Sequence, residues 1–157
     1  TVASASKPRN YHSVALLLPD GRIWTAGSGG CGTCSINQQS AQIFSPPYLF
    51  KKDGSGLLAN RPRVLSGPSS VLYNTQYTLS VPNATSIKRV ALIPLGSVTH
   101  AFNMNQRYVT LSIPSKTATE LTFKSPGNSR IAPPGYYMLF VVDSAGVPSV
   151  ARIIKVG

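Results

Sequence analysis

The chain is predicted to be all-β, and three observations carry that prediction. Its apolar runs are short, and turn residues bound each of them. Thirteen Gly and thirteen Pro stand among many Ser, Thr and Val, a composition of short strands and frequent turns. No stretch shows the three- and four-residue apolar spacing of an amphipathic helix. A chain of 157 residues supports one ordinary domain or two small ones. At this size roughly 70% of the extended-chain surface is buried on folding. Hydrophobic residues make up 42%, which excludes general disorder.

Thr1 to Arg9 is a polar lead-in. Tyr11–Leu18 reads as a buried strand, and Arg22–Ala26 as its return. Pro19-Asp20-Gly21 between them is a turn, with Pro fixing φ and Gly taking the positive φ. Gly27, Gly29, Gly30 and Gly32 follow closely. Such density lets backbones approach, as at the junction of propeller blades. A phosphate loop would need a following Gly-Lys-Ser/Thr and a helix, and neither is there. Ser40–Phe44 is a third short strand, and Pro46-Pro47 cannot continue a ladder. The expected division is therefore 1–46 and 47–157. Three strands with so much apolar face are marginal alone, and a propeller blade carries about four. The first part is thus expected to be an incomplete unit that lacks an upstream segment. The start at Thr1, without Met or signal peptide, reads as a processed or excised product.

In the second part, candidate strands are Arg63–Leu65, Gln76–Val81, Arg89–Pro94, Arg107–Ile113, Glu120–Lys124, Tyr136–Asp143 and Val150–Val156. Seven short strands with turn signals between them fit an immunoglobulin-like sandwich.

The charge balance excludes some functions. Net charge is +11 because 15 bases face only Asp20, Asp53, Glu120 and Asp143. The bases are scattered, without the stripe and interleaved aromatics of a nucleic-acid footprint. Specific nucleic-acid binding is therefore not expected, and attraction to anionic surfaces or polysaccharides fits better. No apolar run approaches the roughly 20 residues of a membrane span. Cys31 and Cys34 form a lone C-x-x-C. Redox chemistry, zinc and a short disulfide are all open to that spacing. Zinc would need a second ligand pair, so the disulfide reading, which belongs to a secreted protein, is favoured. Asn83-Ala84-Thr85 is a glycosylation sequon and points the same way.

The candidate site is Tyr11, His12 and His100, which include the only two histidines. Blandly read, two histidines are structural or exposed residues. As a site they would have to converge on one metal. Neighbours on a regular strand point to opposite faces, so Tyr11 and His12 reach one ion only at a strand end or a distortion. His100 follows Val90–Leu95 and Gly96-Ser97, which places it on a loop leaving a strand, a common setting for ligands. Imidazole and phenolate donors suit copper among other metals. A phenol of pKa near 10 becomes a usable base once a metal lowers it.

Asn10-Tyr11-His12-Ser13, Leu16-Leu17-Leu18-Pro19-Asp20-Gly21-Arg22, Cys31-Gly32-Thr33-Cys34, Ala41-Gln42-Ile43-Phe44 and Thr99-His100 occur in order. Asn105-Gln106-Arg107, Pro134-Gly135-Tyr136-Tyr137-Met138-Leu139-Phe140 and Ser144-Ala145-Gly146-Val147-Pro148-Ser149 follow. Together these motifs closely resemble the C-terminal part of the galactose oxidase family of copper-radical oxidases, over nearly the whole chain. The resemblance implies the end of a kelch-type propeller over 1–46 and an immunoglobulin-like C-terminal sandwich over 47–157. It implies that His12 and His100 bind copper, that Tyr11 is the axial tyrosine taking the alcohol proton, and that Cys31 and Cys34 form a short disulfide.

The family's other redox partner is a tyrosine cross-linked to a cysteine. That pair, the aromatic stacked on it and the main sugar-binding residues are expected from an upstream propeller segment. The expected activity is that of a secreted enzyme oxidising a primary alcohol or aldehyde while O2 becomes H2O2. The alternative is a non-catalytic sandwich module that packs on a propeller or binds polysaccharide.

Overall fold

The computed structural model describes residues 2–30 and 37–157. Their secondary structure is strands, apart from 3-10 turns at Pro47–Leu49 and Ala84–Ser86. The all-β expectation holds. Cys31 and Cys34 lie outside the described residues.

The N-terminal part is an antiparallel meander of β1 (Val14–Leu17), β2 (Ile23–Ala26) and β3 (Ala41–Phe44). Its first turn is built as expected. Gly21 sits at φ +80, Gly21 N donates to Leu18 O at 2.8 Å, and Leu18 N to Arg22 O at 2.9 Å. The Asp20 carboxylate accepts from Arg22 N and Nε. That side-chain bond to Arg22 holds the Asp20 carboxyl below its ordinary pKa.

The rest is a sandwich. One sheet holds β4 (Ser70–Val71), β6 (Ile87–Pro94), β9 (Val109–Leu111), β12 (Gly135–Asp143) and β13 (Arg152–Val156), in the order β4-β13-β12-β6-β9. The other holds β5 (Gln76–Ser80), β10 (Ser115–Lys116) and β11 (Glu120–Lys124), in the order β10-β11-β5. Period-two alternation turns Leu121 and Phe123 of β11 inward, against Val90, Leu92, Leu139 and Val141 of the larger sheet. Phe123 and Leu139 are fully buried.

β12 is buried on both faces. Tyr137, Leu139 and Val141 enter the shared core. Met138, Phe140 and Val142 face the other way and are equally out of solvent. The meander lies over that second face, where a cavity is lined by Leu17, Gly21, Tyr48, Phe140, Val142 and Pro148. This explains why β12 reads as a continuous apolar run rather than an alternating one.

Four expected strands need correction, one of them Arg107–Ile113, which is a strand only over Val109–Leu111. Tyr11–Leu18 is a strand only over Val14–Leu17, because Asn10 to Ser13 forms a turn closed by Ser13 N to Asn10 O. Arg63–Leu65 forms no strand. It makes one bond, Leu65 N to Ser80 O, and an isolated bridge at Ser66, since Pro62 and Pro68 on either side cannot donate to a ladder. The Val150–Val156 strand starts at Arg152, because Ala151 N is taken by Pro19 O. A hairpin of β7 (Val98–Thr99) and β8 (Phe102–Asn103) was not expected at all. It carries His100 at its tip.

Candidate metal centre

His12 sits in a turn held from behind by the glycine-rich stretch. Its φ is +59, a left-handed conformation that costs a non-Gly residue roughly 1–2 kcal/mol. Gly29 N donates to Tyr11 O at 2.7 Å, and Asn10 N donates to the buried Ser28 hydroxyl at 2.9 Å. A Cβ on Gly27 would stand 2.9 Å from His12 O, and one on Gly30 3.5 Å from His12 Cδ2. Gly27 is therefore glycine because the His12 turn presses on its backbone. The Arg9 guanidinium joins the two sides, donating to Gly27 O and Ser40 O, both at 2.8 Å.

His100 and Ala101 form the two-residue tip of the β7–β8 hairpin, at φ +53 and +63. Two left-handed residues match the twist of the flanking strands, but Asn-Gly is the usual choice there. Below the tip, Asn103 Oδ1 accepts from Ser97 N and Asn105 N, and Asn105 Nδ2 donates to Leu95 O. The hairpin base then meets β1, where a Cβ on Gly96 would be 2.6 Å from Leu16 Cδ2. That packing carries the hairpin tip toward the Asn10–Ser13 turn. Of the six non-Gly residues with positive φ among the described residues, His12, Ser28, His100 and Ala101 belong to this one locality. Such clustering is how functional sites differ from scaffold.

The two imidazole rings lie with centres 5.6 Å apart and planes tilted by 47°, and the Tyr11 ring meets the His12 ring edge-on at 4.1 Å. A nitrogen about 2.0–2.1 Å from a divalent ion puts its ring centre about 3 Å from that ion. Two rings on one ion thus have centres at most about 6 Å apart, and this pair meets the condition. Among the described residues no group of three or more His, Cys, Asp or Glu could hold a metal. The donors on offer are two imidazoles and a phenol that is 55% exposed, a set that suits copper among the imidazole-preferring metals.

Thr99 Oγ1 lies 2.8 Å from His100 Nδ1. With Nδ1 donating, Nε2 carries the lone pair a metal needs. Sequence reasoning missed Thr99, Ser28 and Arg9. Thr99 is legible only once His100 is known to sit at a hairpin tip, and nothing local marks Arg9.

The meander and the sandwich are joined at the far end of β1. Arg61 donates to Asp20 O at 2.7 Å, Pro148 O at 2.8 Å and Ser149 O at 2.6 Å. Tyr48 OH donates to Gly21 O at 2.5 Å. The two parts that carry the donors are thus registered by this clamp at the β1–β2 turn and by the Leu16–Gly96 contact within β1.

A two-sheet β-sandwich carrying a meander, with two imidazole rings brought within 5.6 Å of each other from strained turns, defines an all-β protein with a candidate metal site. The chain belongs to the galactose oxidase-like family, whose Early set domain matches residues 61–156, more than half of its length. A galactose oxidase of Gibberella zeae is 44% identical over 149 residues, which is 94% of this chain and 21% of that protein. The aldehyde oxidase GLOX of Vitis pseudoreticulata is 35% identical over 170 residues, 99% of this chain and 31% of that one. A solved fungal alcohol oxidase of the AA5 family, in complex with copper, matches with a TM-score of 0.89 at 38% identity. That match covers 98% of this chain and 32% of the oxidase. The chain spans only about a fifth to a third of these relatives. No helix among the described residues is long and apolar enough to cross a membrane.

Proposed function

We propose that this chain supplies Tyr11, His12 and His100 as copper ligands of a secreted copper-radical oxidase that oxidises a primary alcohol or aldehyde and reduces O2 to H2O2. Residues 1–46 would be the terminal blade segment of a kelch-type propeller, and 47–157 the sandwich that delivers His100. The observation that carries the reading is the 5.6 Å approach of two imidazoles from distant, strained turns in a chain of the galactose oxidase-like family. Copper, when bound, supplies a site for the alcohol oxygen and takes one electron. A cross-linked tyrosyl-cysteine cofactor, expected from an upstream segment, supplies the acceptor for the other. The work of this chain is positional and protonic. His12 and His100 hold the ion through ring nitrogens. Thr99 Oγ1, 2.8 Å from His100 Nδ1, orients the ring and leaves Nε2 for the ion. The exposed Tyr11 phenol takes the proton of the alcohol.

The test is made in the full-length enzyme. His100→Ala is expected to lose copper and all copper-dependent turnover. Tyr11→Phe is expected to keep most copper while turnover falls about 10²–10⁴-fold, the usual worth of a positioned base. A His100→Ala enzyme with full copper and full turnover overturns the assignment.

A further inference from the structure

We propose that Asn83 carries an N-linked glycan. The sequon Asn83-Ala84-Thr85 is the only N-x-S/T triplet in the chain, and Ser86, not Pro, follows it. The fold presents it in a usable way. Asn83 and Thr85 are exposed, while Ala84 between them is fully buried and pins the turn to the core. Asn83 opens the Ala84–Ser86 3-10 turn at φ +56, a conformation Asn tolerates, and its side chain makes no capping bond. Its carbonyl, not its amide, serves the turn, accepting from Ser86 N and Oγ. The Asn83 side chain is exposed and is not used to cap the turn, so a glycan on its amide nitrogen would cost the turn no capping bond.

Topology also keeps the glycan from the metal donors. Asn83 precedes Ile87, where β6 begins, and the His100 hairpin follows Pro94, where β6 ends. Eight residues of strand at about 3.3 Å each separate these ends by about 26 Å. Pro148 and Ser149, held by Arg61, lie near the Asp143 end of β12, which pairs with Ile87. The clamp and Asn83 therefore share one end of the sandwich, and the donors occupy the other.

The donor is a lipid-diphosphate-linked oligosaccharide of the secretory membrane. The Asn83 Nδ2–sugar C1 bond forms as the C1–O bond to phosphate breaks. The lipid diphosphate leaves, and one amide proton passes to a base of the transferase.

The experiment is release of the full-length protein, secreted from a eukaryotic host, with an amidase specific for N-glycans in heavy-oxygen water. The expected result is loss of one glycan mass from the peptide containing residue 83, and conversion of that residue to labelled Asp. Asn83→Asp, which keeps the left-handed preference, and Thr85→Ala should both lack the glycan. Thr85→Ser should retain it, and all three should bind copper like the parent. An unmodified Asn83 in protein recovered from the medium overturns the proposal and leaves the oxidase reading standing. Protein retained inside the cell with Asn83 bare overturns both the proposal and secretion.

Discussion

The sandwich core and the two donor-bearing turns are built on opposite physical terms. In the core, Phe123, Leu139 and Val141 sit at or near zero exposure on regular strands, and hydrophobic burial drives their placement. At the donor turns, His12, Ser28, His100 and Ala101 hold unfavourable backbone angles, and Tyr11 is open to solvent. Much of what holds those turns is polar, namely Arg9, the Ser28 hydroxyl and the Asn103 amide. A stable scaffold carries strain that the turns could not sustain alone. Core mutations should therefore move stability, and turn mutations should move metal binding.

Phe123→Ala should break the scaffold side of that contrast, lowering stability by about 3–5 kcal/mol through lost burial and a cavity. Denaturant titration would show it, with copper affinity of the still-folded fraction unchanged. Arg61→Met tests the join between the two parts. It leaves three main-chain carbonyls without their charged donor, at a cost of about 2–3 kcal/mol. If the clamp registers the donors, copper affinity falls beyond what unfolding explains. A pure stability loss would confine Arg61 to the scaffold.

Thr99→Val should leave folding almost intact, because the side chain is exposed, yet weaken copper about 10–100-fold, the usual worth of a partner that orients a ligating His. Thr99→Ser should restore binding, and equal affinity in the Val variant would dismiss Thr99 as the residue that orients His100. Ala101→Gly should raise stability by up to about 1 kcal/mol by removing a left-handed Cβ clash. A loss of stability would show that the tip is not strained.

The smallest effect belongs to Asp20→Asn. The bond from Arg22 lowers the folded carboxyl pKa. Its stabilisation is thus full above the unfolded value and disappears as pH falls through the folded one. The pair, Arg22 Nη2 to Asp20 Oδ2 at 2.7 Å, is substantially exposed, so the loss should be about 0.5 kcal/mol or less. Denaturation midpoints of parent and variant should differ near neutral pH and merge in acid.

Much of the scaffold is legible in the residues themselves. Pro19-Asp20-Gly21 is enough to set the β1–β2 turn, because Pro and Gly restrict and permit φ locally. Period-two alternation in Glu120–Lys124 is enough to place Leu121 and Phe123 in the core. The expected distortion at Tyr11 and His12 was also readable, since adjacent strand residues cannot serve one ion.

Only the tertiary structure decided the rest. The β7–β8 hairpin has two residues per strand and no Gly in its turn, so no local propensity announces it. Its register comes from packing on β1 at Leu16. β12 is apolar on both faces because two different layers cover it, and a single strand's pattern cannot say which layers those are. Arg9 and Arg61 act on carbonyls far along the chain. Sequence determined the residue types that metal chemistry needs. The distance between His12 and His100 is a property of the fold, because long-range packing sets it and no spacing along the chain encodes it.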